Sequence, residues 1–186
     1  MTTTPSSQDI LAFWRAAGWK KWFGKDPAFD AEIRSRFEQA HFAASRGELA
    51  GWADTAEGTL ALLILIDQFP RNMYRGSAHA FATDPMARAV ASEAVDRGVD
   101  LELEPAMRPF VYLPFEHSER IEDQDRSIAL CQRLKTDAGD ADTLKWAQLH
   151  RDIIVRFGRF PHRNACLGRV TRPEEQAFLD EGGFAG

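Results

Sequence analysis

Thr59-Leu60-Ala61-Leu62-Leu63-Ile64-Leu65-Ile66-Asp67-Gln68-Phe69-Pro70-Arg71-Asn72 is the stretch that decides the class of fold. From Thr59 to Phe69 it is apolar on nearly every side, and Leu60 to Ile66 is an unbroken apolar run of seven residues halted by Asp67. A membrane-crossing helix needs about 20 such residues, so a span is excluded. A helix that is greasy all round yet too short to cross a bilayer belongs at the centre of a protein, sheathed by other helices.

Outward from that centre the chain carries helix punctuation and no strand alternation. Ser6 with Asp9 has the spacing of a capping box ahead of Ile10, Phe13, Trp14 and Ala17 on one face. Asp26-Pro27 is a cap followed by proline in the first turn, and Phe29, Ile33, Phe37 and His41 recur every fourth residue. Thr83-Asp84-Pro85 repeats that start signal before Met86, Val90 and Ala94, with Gly98 placed to end the helix.

Beyond it, Pro109 and Pro114 predict a helical turn and a bend over residues 105 to 117, with a brief strand at Phe110-Val111-Tyr112 as the alternative. Ser118 is expected to cap a helix whose first turns hold Glu119, Glu122, Asp123 and Asp125 and whose buried face is Ile121, Ile128, Cys131 and Leu134. Gly139 ends it and Asp140 or Asp142 caps the next, over 143 to 158. A short helix from Pro173 to Leu179 precedes a Gly-rich end. The expectation is one all-α domain over residues 1–186, an α-α superhelix or irregular bundle of six to eight helices. Its core runs from about 8 to 180, with frayed ends at 1–6 and 182–186.

Composition narrows the function classes. The chain has 186 residues, 44% hydrophobic and 27% charged, which is the make-up of a folded globular protein. A net charge of −5 lacks the broad positive field that a nucleic acid or a membrane surface requires. Two cysteines, Cys131 and Cys166, make no disulfide framework and read as reduced cytosolic thiols, and MTTTPSSQD lacks the basic and apolar regions of a signal peptide. The expected location is the cytoplasm. No Gly-rich phosphate loop and no nucleophile elbow is present. Cys131, on an apolar face, reads as inert, and so does Cys166, although Arg163 and Arg169 nearby are of the sign that activates a thiol. Phe13, Trp14, Trp19, Trp22 and Phe23 around Lys20-Lys21 admit base stacking, but helix packing explains them more simply.

The polar chemistry concentrates in two places. Asp67-Gln68-Phe69-Pro70-Arg71-Asn72 is echoed by Arg159-Phe160-Pro161-His162-Arg163-Asn164, each after an apolar helix, as if Pro stopped the helix and Arg and Asn met its last carbonyls. Over residues 143–160, Trp146, Leu149, Ile153, Ile154 and Phe157 share one side with His150 in the middle, while Lys145, Gln148, Asp152, Arg156 and Arg159 share the other. Residues 145–172 are formally +6 and residues 93–125 formally −7. The two segments either pair with each other or leave the basic one for a phosphate or carboxylate partner. Glu116, His117 and Glu119 with His150 and His162 form a candidate acid–base or metal-assisted set. The two-residue spacings His117/Glu119 and His150/Asp152 diverge on a helix and argue against a metal ion. His150 alone reads as a core histidine bonded to a buried partner such as Glu116 or a backbone carbonyl.

Asp67 to Asn72, Phe81-Ala82-Thr83-Asp84-Pro85, Leu113 to Glu119, and above all His150-Arg151-Asp152-Ile153-Ile154 running through to Asn164 resemble the bacterial family catalogued as domain of unknown function 924, from about Ile10 to Leu179. The resemblance implies a tetratricopeptide-like arrangement of right-handed helix pairs. It brings no activity and no assigned catalytic residue.

The reading that results is a helical binding protein taking a small anionic molecule or an acidic peptide through Arg71, Asn72, Arg75, His117, Arg156, Arg159, His162, Arg163 and Asn164. No cofactor, metal ion, nucleic acid or membrane is expected as a partner, and nothing in the sequence sets the oligomeric state. One alternative is a hydrolase-like enzyme using Glu116, His117, Glu119, His150 and His162. The other makes every motif a helix stop or a buried polar bond.

Overall fold

The computed structural model describes residues 5–185, and all of its regular structure is helical. The helices are α1 (Ser7–Ala17), α2 (Trp19–Trp22), α3 (Pro27–Ser45), α4 (Ala56–Leu63), α5 (Phe69–Met73), α6 (Asp84–Asp96), α7 (Pro109–Glu116), α8 (Ile121–Ala138), α9 (Ala141–Phe157) and α10 (Pro173–Asp180). Short 3-10 turns join several of them. None is long and apolar enough to cross a membrane. The backbone divides into two compact units. The first runs to Arg75 and resumes over His79–Pro114, and the second is Gly76–Ala78 with Phe115 onward.

In the first unit the capping signals act as written. Ser6 and Asp9 form the reciprocal box on α1, and Asp26 accepts from the Ala28 and Phe29 amides with Pro27 in the first turn of α3. Phe29, Ile33, Phe37 and His41 are all buried. The decisive stretch is the centre: every residue from Gly58 to Pro70 is buried, against α1, α3 and α6. Gly58 is required there, because a Cβ would overlap the Trp52 carbonyl.

Pro70 does not stop this helix. Residues Ile64–Gln68 widen into a π-helix, and Pro70 opens α5 instead. The Phe69 N–H reaches back five residues to the Ile64 carbonyl, and Pro70 has no N–H, so the Leu65 carbonyl has no helical donor. His41 Nδ1 donates to it at 3.0 Å. The Ile66 carbonyl loses the same proline amide and accepts from the Thr83 hydroxyl at 2.5 Å, so Thr83 does not cap α6 with its side chain.

The expected bend at 105–117 is a short 3-10 turn followed by α7, a continuous helix with Pro114 inside it, and Phe110 to Tyr112 are helical. Residues 109–116 are all buried, and apolar burial outweighs the hydrogen bond Pro114 cannot make.

In the second unit α8 begins later than expected. Arg120 is its N-cap residue, and Ser118, two positions earlier, donates to Asp123 and accepts from the Arg120 amide. Its buried face is Gln124, Ser127, Leu130, Cys131 and Leu134, while Ile121 and Ile128 are half-buried. Gly139 closes α8 in the left-handed conformation, Asp140 caps α9, and the two helices pack along each other as a hairpin. On α9, Ile153, Ile154, Phe157 and His150 face inward, but Trp146 and Leu149 are exposed at 45% and 37%. Thr143, Leu144 and Ala147 fill the inward positions instead. Of the ends expected to fray, residues 1–4 and 186 lie outside the described residues. Ser6 caps α1, and Phe184 packs against His150 and Trp146.

Candidate functional site

The motif copy in the first unit is a network closed on itself. Arg71 makes a two-pronged bond to Asp84 at 3.0 Å on each arm, donates to the Asp67 carbonyl at 2.5 Å, and lies 3.4 Å from the Asp67 carboxylate. Asp67 is fully buried and also accepts from Gln68 at 2.6 Å. Asn72 and Arg75 converge on Asp30, at 2.7 Å and 2.9 Å. Three of the residues expected to receive a ligand thus hold α3, α5 and α6 together.

The second copy is organised by an acid that sequence reading overlooked. Glu175 on α10 is fully buried and accepts from Arg159 Nε at 2.6 Å, Asn164 at 3.0 Å, the Arg172 amide at 2.7 Å and the Arg172 guanidinium at 2.8 Å. Arg159, then Arg172, hold its carboxyl far below the usual carboxylate range against the opposing effect of burial. Arg159 is therefore not part of a solvated face with Lys145 and Arg156. The available signal was the Arg172-Pro173-Glu174-Glu175 spacing, a capping-box interval whose first position holds arginine in place of serine or threonine.

Glu119 is drawn away from the acid–base set in the same manner. It accepts from the Phe160 amide at 2.8 Å and from Arg169 at 2.7 and 3.0 Å. Burial raises its pKa, and these donors reverse that, leaving it lowered. With Arg151 on Asp125 at 2.6 Å, four arginines of the basic segment, Arg151, Arg159, Arg169 and Arg172, find counter-charges within this unit, some of them on α10.

What the second unit does bring together is a set of rings and cations. His150 Nδ1 lies 3.0 Å from the Glu116 carboxylate and 2.9 Å from the Trp146 carbonyl. A carbonyl only accepts, so Nδ1 carries the proton. The ring sits 5.6 Å from Phe160 and 4.6 Å from Phe184, centre to centre. His162 lies 5.6 Å and 5.3 Å from the same two rings, and the Arg163 guanidinium lies 4.5 Å from the centre of Phe160. Phe184, in the Gly-rich end, gave no sequence signal.

Arg156 is exposed over Phe157 and Phe178, and His117 is half-buried beside Glu116 in sequence. Cys131 is buried, and burial, with Glu116 adding to it, pushes its thiol up to about 12, so it is no nucleophile. Among the described residues no group of three or more His, Cys, Asp and Glu side chains has an arrangement suited to a metal ion.

An all-α protein with arginine–carboxylate networks and a carboxylate–imidazole pair is the class these features define. The chain belongs to the family described as bacterial protein of unknown function (DUF924), whose model matches residues 10–183. It is similar to the solved structure of a protein of unknown function from Agrobacterium tumefaciens, with 52% identity and a TM-score of 0.89 over 95% of this chain and 97% of that one. No curated protein matches it.

Proposed function

We propose that the protein is a cytosolic helical binding protein that takes a small molecule with a carboxylate or phosphate group at His150, His162 and Arg163 in the second unit. The observation that carries this reading is the gathering of those three side chains on Phe160 and Phe184. Glu116, 3.0 Å from Nδ1, supports positive charge on the His150 ring, and the aromatic rings lower the dielectric around an anion bound beside it. Arg71, Asn72, Arg75, Arg159 and Asn164 serve the framework in this reading. The α8–α9 hairpin supports the tetratricopeptide-like arrangement of helix pairs, and the unpaired thiols of Cys131 and Cys166 support the cytosol.

Thermal unfolding with phosphate, sulfate and short carboxylates, against chloride at matched ionic strength, tests it. At least one anion is expected to raise the melting temperature saturably, by about 5–10 °C at about 100 times its dissociation constant. His162→Ala abolishes the rise and Arg75→Ala does not. No response to any anion, or an undiminished one in His162→Ala, refutes the reading.

The 3.0 Å Glu116–His150 pair favours a second reading, a hydrolase-like enzyme in which Glu116 orients His150 as general base. It requires turnover of an activated ester that drops at least about tenfold in His150→Gln. Turnover equal in the variant and the parent removes it.

A further inference from the structure

The first unit carries a surface that plays no part in the site described above. Three of the chain's five lysines, Lys20, Lys21 and Lys25, lie within six residues of each other, in a protein of net charge −5. Among the described residues none of the three has an ion-pair partner; Lys21 lies over the Phe29 ring at 5.2 Å. The neighbouring acid, Asp26, is turned to the α3 amides as a cap.

Interleaved with these lysines are two aromatic side chains that core packing does not absorb. Trp22 is anchored by its indole N–H, which donates to the Trp14 carbonyl at 2.6 Å. Trp19 and Phe23, on either side of that anchor, are each 51% exposed, with ring centres 4.7 Å apart. Large aromatics left in water beside positive charge are the residue types that dominate the energetics of protein interfaces.

We infer that residues 19–25 are a docking surface for a short acidic protein segment bearing an apolar side chain. The lysines set the sign of the partner. The rings set its other requirement, an apolar group to cover Trp19 and Phe23. The Phe23 ring is already packed by Phe110 in parallel at 6.2 Å and by Trp19 at 4.7 Å, which reduces the ring face open to a stacking partner. Successive bases of a single strand need open faces to stack on, which disfavours a nucleic acid. An anionic membrane or a long polyanion also presents its charge to the acidic remainder of the molecule. A short segment feels only what lies within the Debye length, about 8 Å at physiological salt. The inference stands on the first unit alone and is unaffected by failure of the anion site in the second.

Fluorescence anisotropy of a labelled short peptide of alternating Glu and Leu tests it, with Lys–Leu and Glu–Ser peptides alongside. The Glu–Leu peptide is expected to bind, more weakly as salt rises, while the other two do not. Lys20→Glu with Lys21→Glu, and separately Trp19→Ala with Phe23→Ala, each weaken binding by about tenfold or more. These side chains are exposed, and an unchanged circular dichroism spectrum and melting temperature show that both variants remain folded. Absence of Glu–Leu binding, or binding undiminished in both variants, overturns the inference. Tighter binding to phosphatidylglycerol vesicles or to oligothymidylate than to the peptide overturns it too.

Discussion

His41 takes its role from Pro70. The proline and the π-helix leave the Leu65 carbonyl without a helical donor, and His41 Nδ1 supplies one, so the neutral ring keeps its proton there. Nε2 is buried and has no hydrogen-bond partner. Protonating it creates a buried cation, and burial, the leading cause, lowers the pKa of His41 below the ordinary value. The folded state thus binds this proton less readily than the unfolded one. The stability involved is fully present above the unfolded pKa of about 6.5 and is lost as pH falls through that value toward the lower folded one. Urea unfolding at pH 7.5 and 5.5 is expected to show lower stability at 5.5, and His41→Gln, which keeps a donor for Leu65, is expected to narrow the gap. An equal pH dependence in the variant would show that His41 is not the group responsible.

At the scale of elements, Glu175 decides how the end of α9, the loop after it and α10 are held. Replacing it by Gln removes the charge that Arg159 and Arg172 require and keeps the shape, and is expected to cost about 2 kcal/mol. Glu174→Gln, on an exposed side chain, is expected to stay within about 0.5 kcal/mol. Chemical denaturation of the two variants separates them, and similar values would mean that the Glu175 network contributes nothing particular. Helix starts and stops were legible because each depends on a few adjacent residues: Ser6 with Asp9, Asp26 with Pro27, Gly139 with Asp140. The inward direction of His150 was legible too, from one polar residue in an apolar stripe, while the sequence leaves its partner open between Glu116 and a backbone carbonyl, and the ring meets both. What failed were features settled by partners distant in sequence. Arg159 reads as a surface charge until Glu175 is placed beside it, and Glu119 reads as an acid of a helix's first turn until Arg169 reaches it. Trp146 and Leu149 were placed inside on hydrophobicity alone, although the smaller Thr143 and Ala147 take the inward positions on α9.

At the scale of the whole molecule, the open question was whether the +6 segment at residues 145–172 is presented to a partner or neutralised from within. Arg151, Arg159, Arg169 and Arg172 each lie within 3.3 Å of a carboxylate oxygen of the same unit. Most of the field that the segment offers a distant polyanion is therefore that of paired charges, and the chain as a whole is acidic, with an isoelectric point near 5.6. Binding to a polyanion depends on how many phosphate or sulfate groups are neutralised by basic side chains, and arginines already held by Glu119, Asp125 and Glu175 contribute little to that number. The protein is therefore expected to pass through a heparin column unretained at about 0.1 M salt, where the Debye length is about 10 Å. Glu119→Gln and Glu175→Gln together release Arg169 and Arg159 and are expected to introduce a measurable delay. Strong retention of the parent chain, eluting only at high salt, would mean that the arginines are available after all and would reopen the broader anionic surface that their carboxylate partners close.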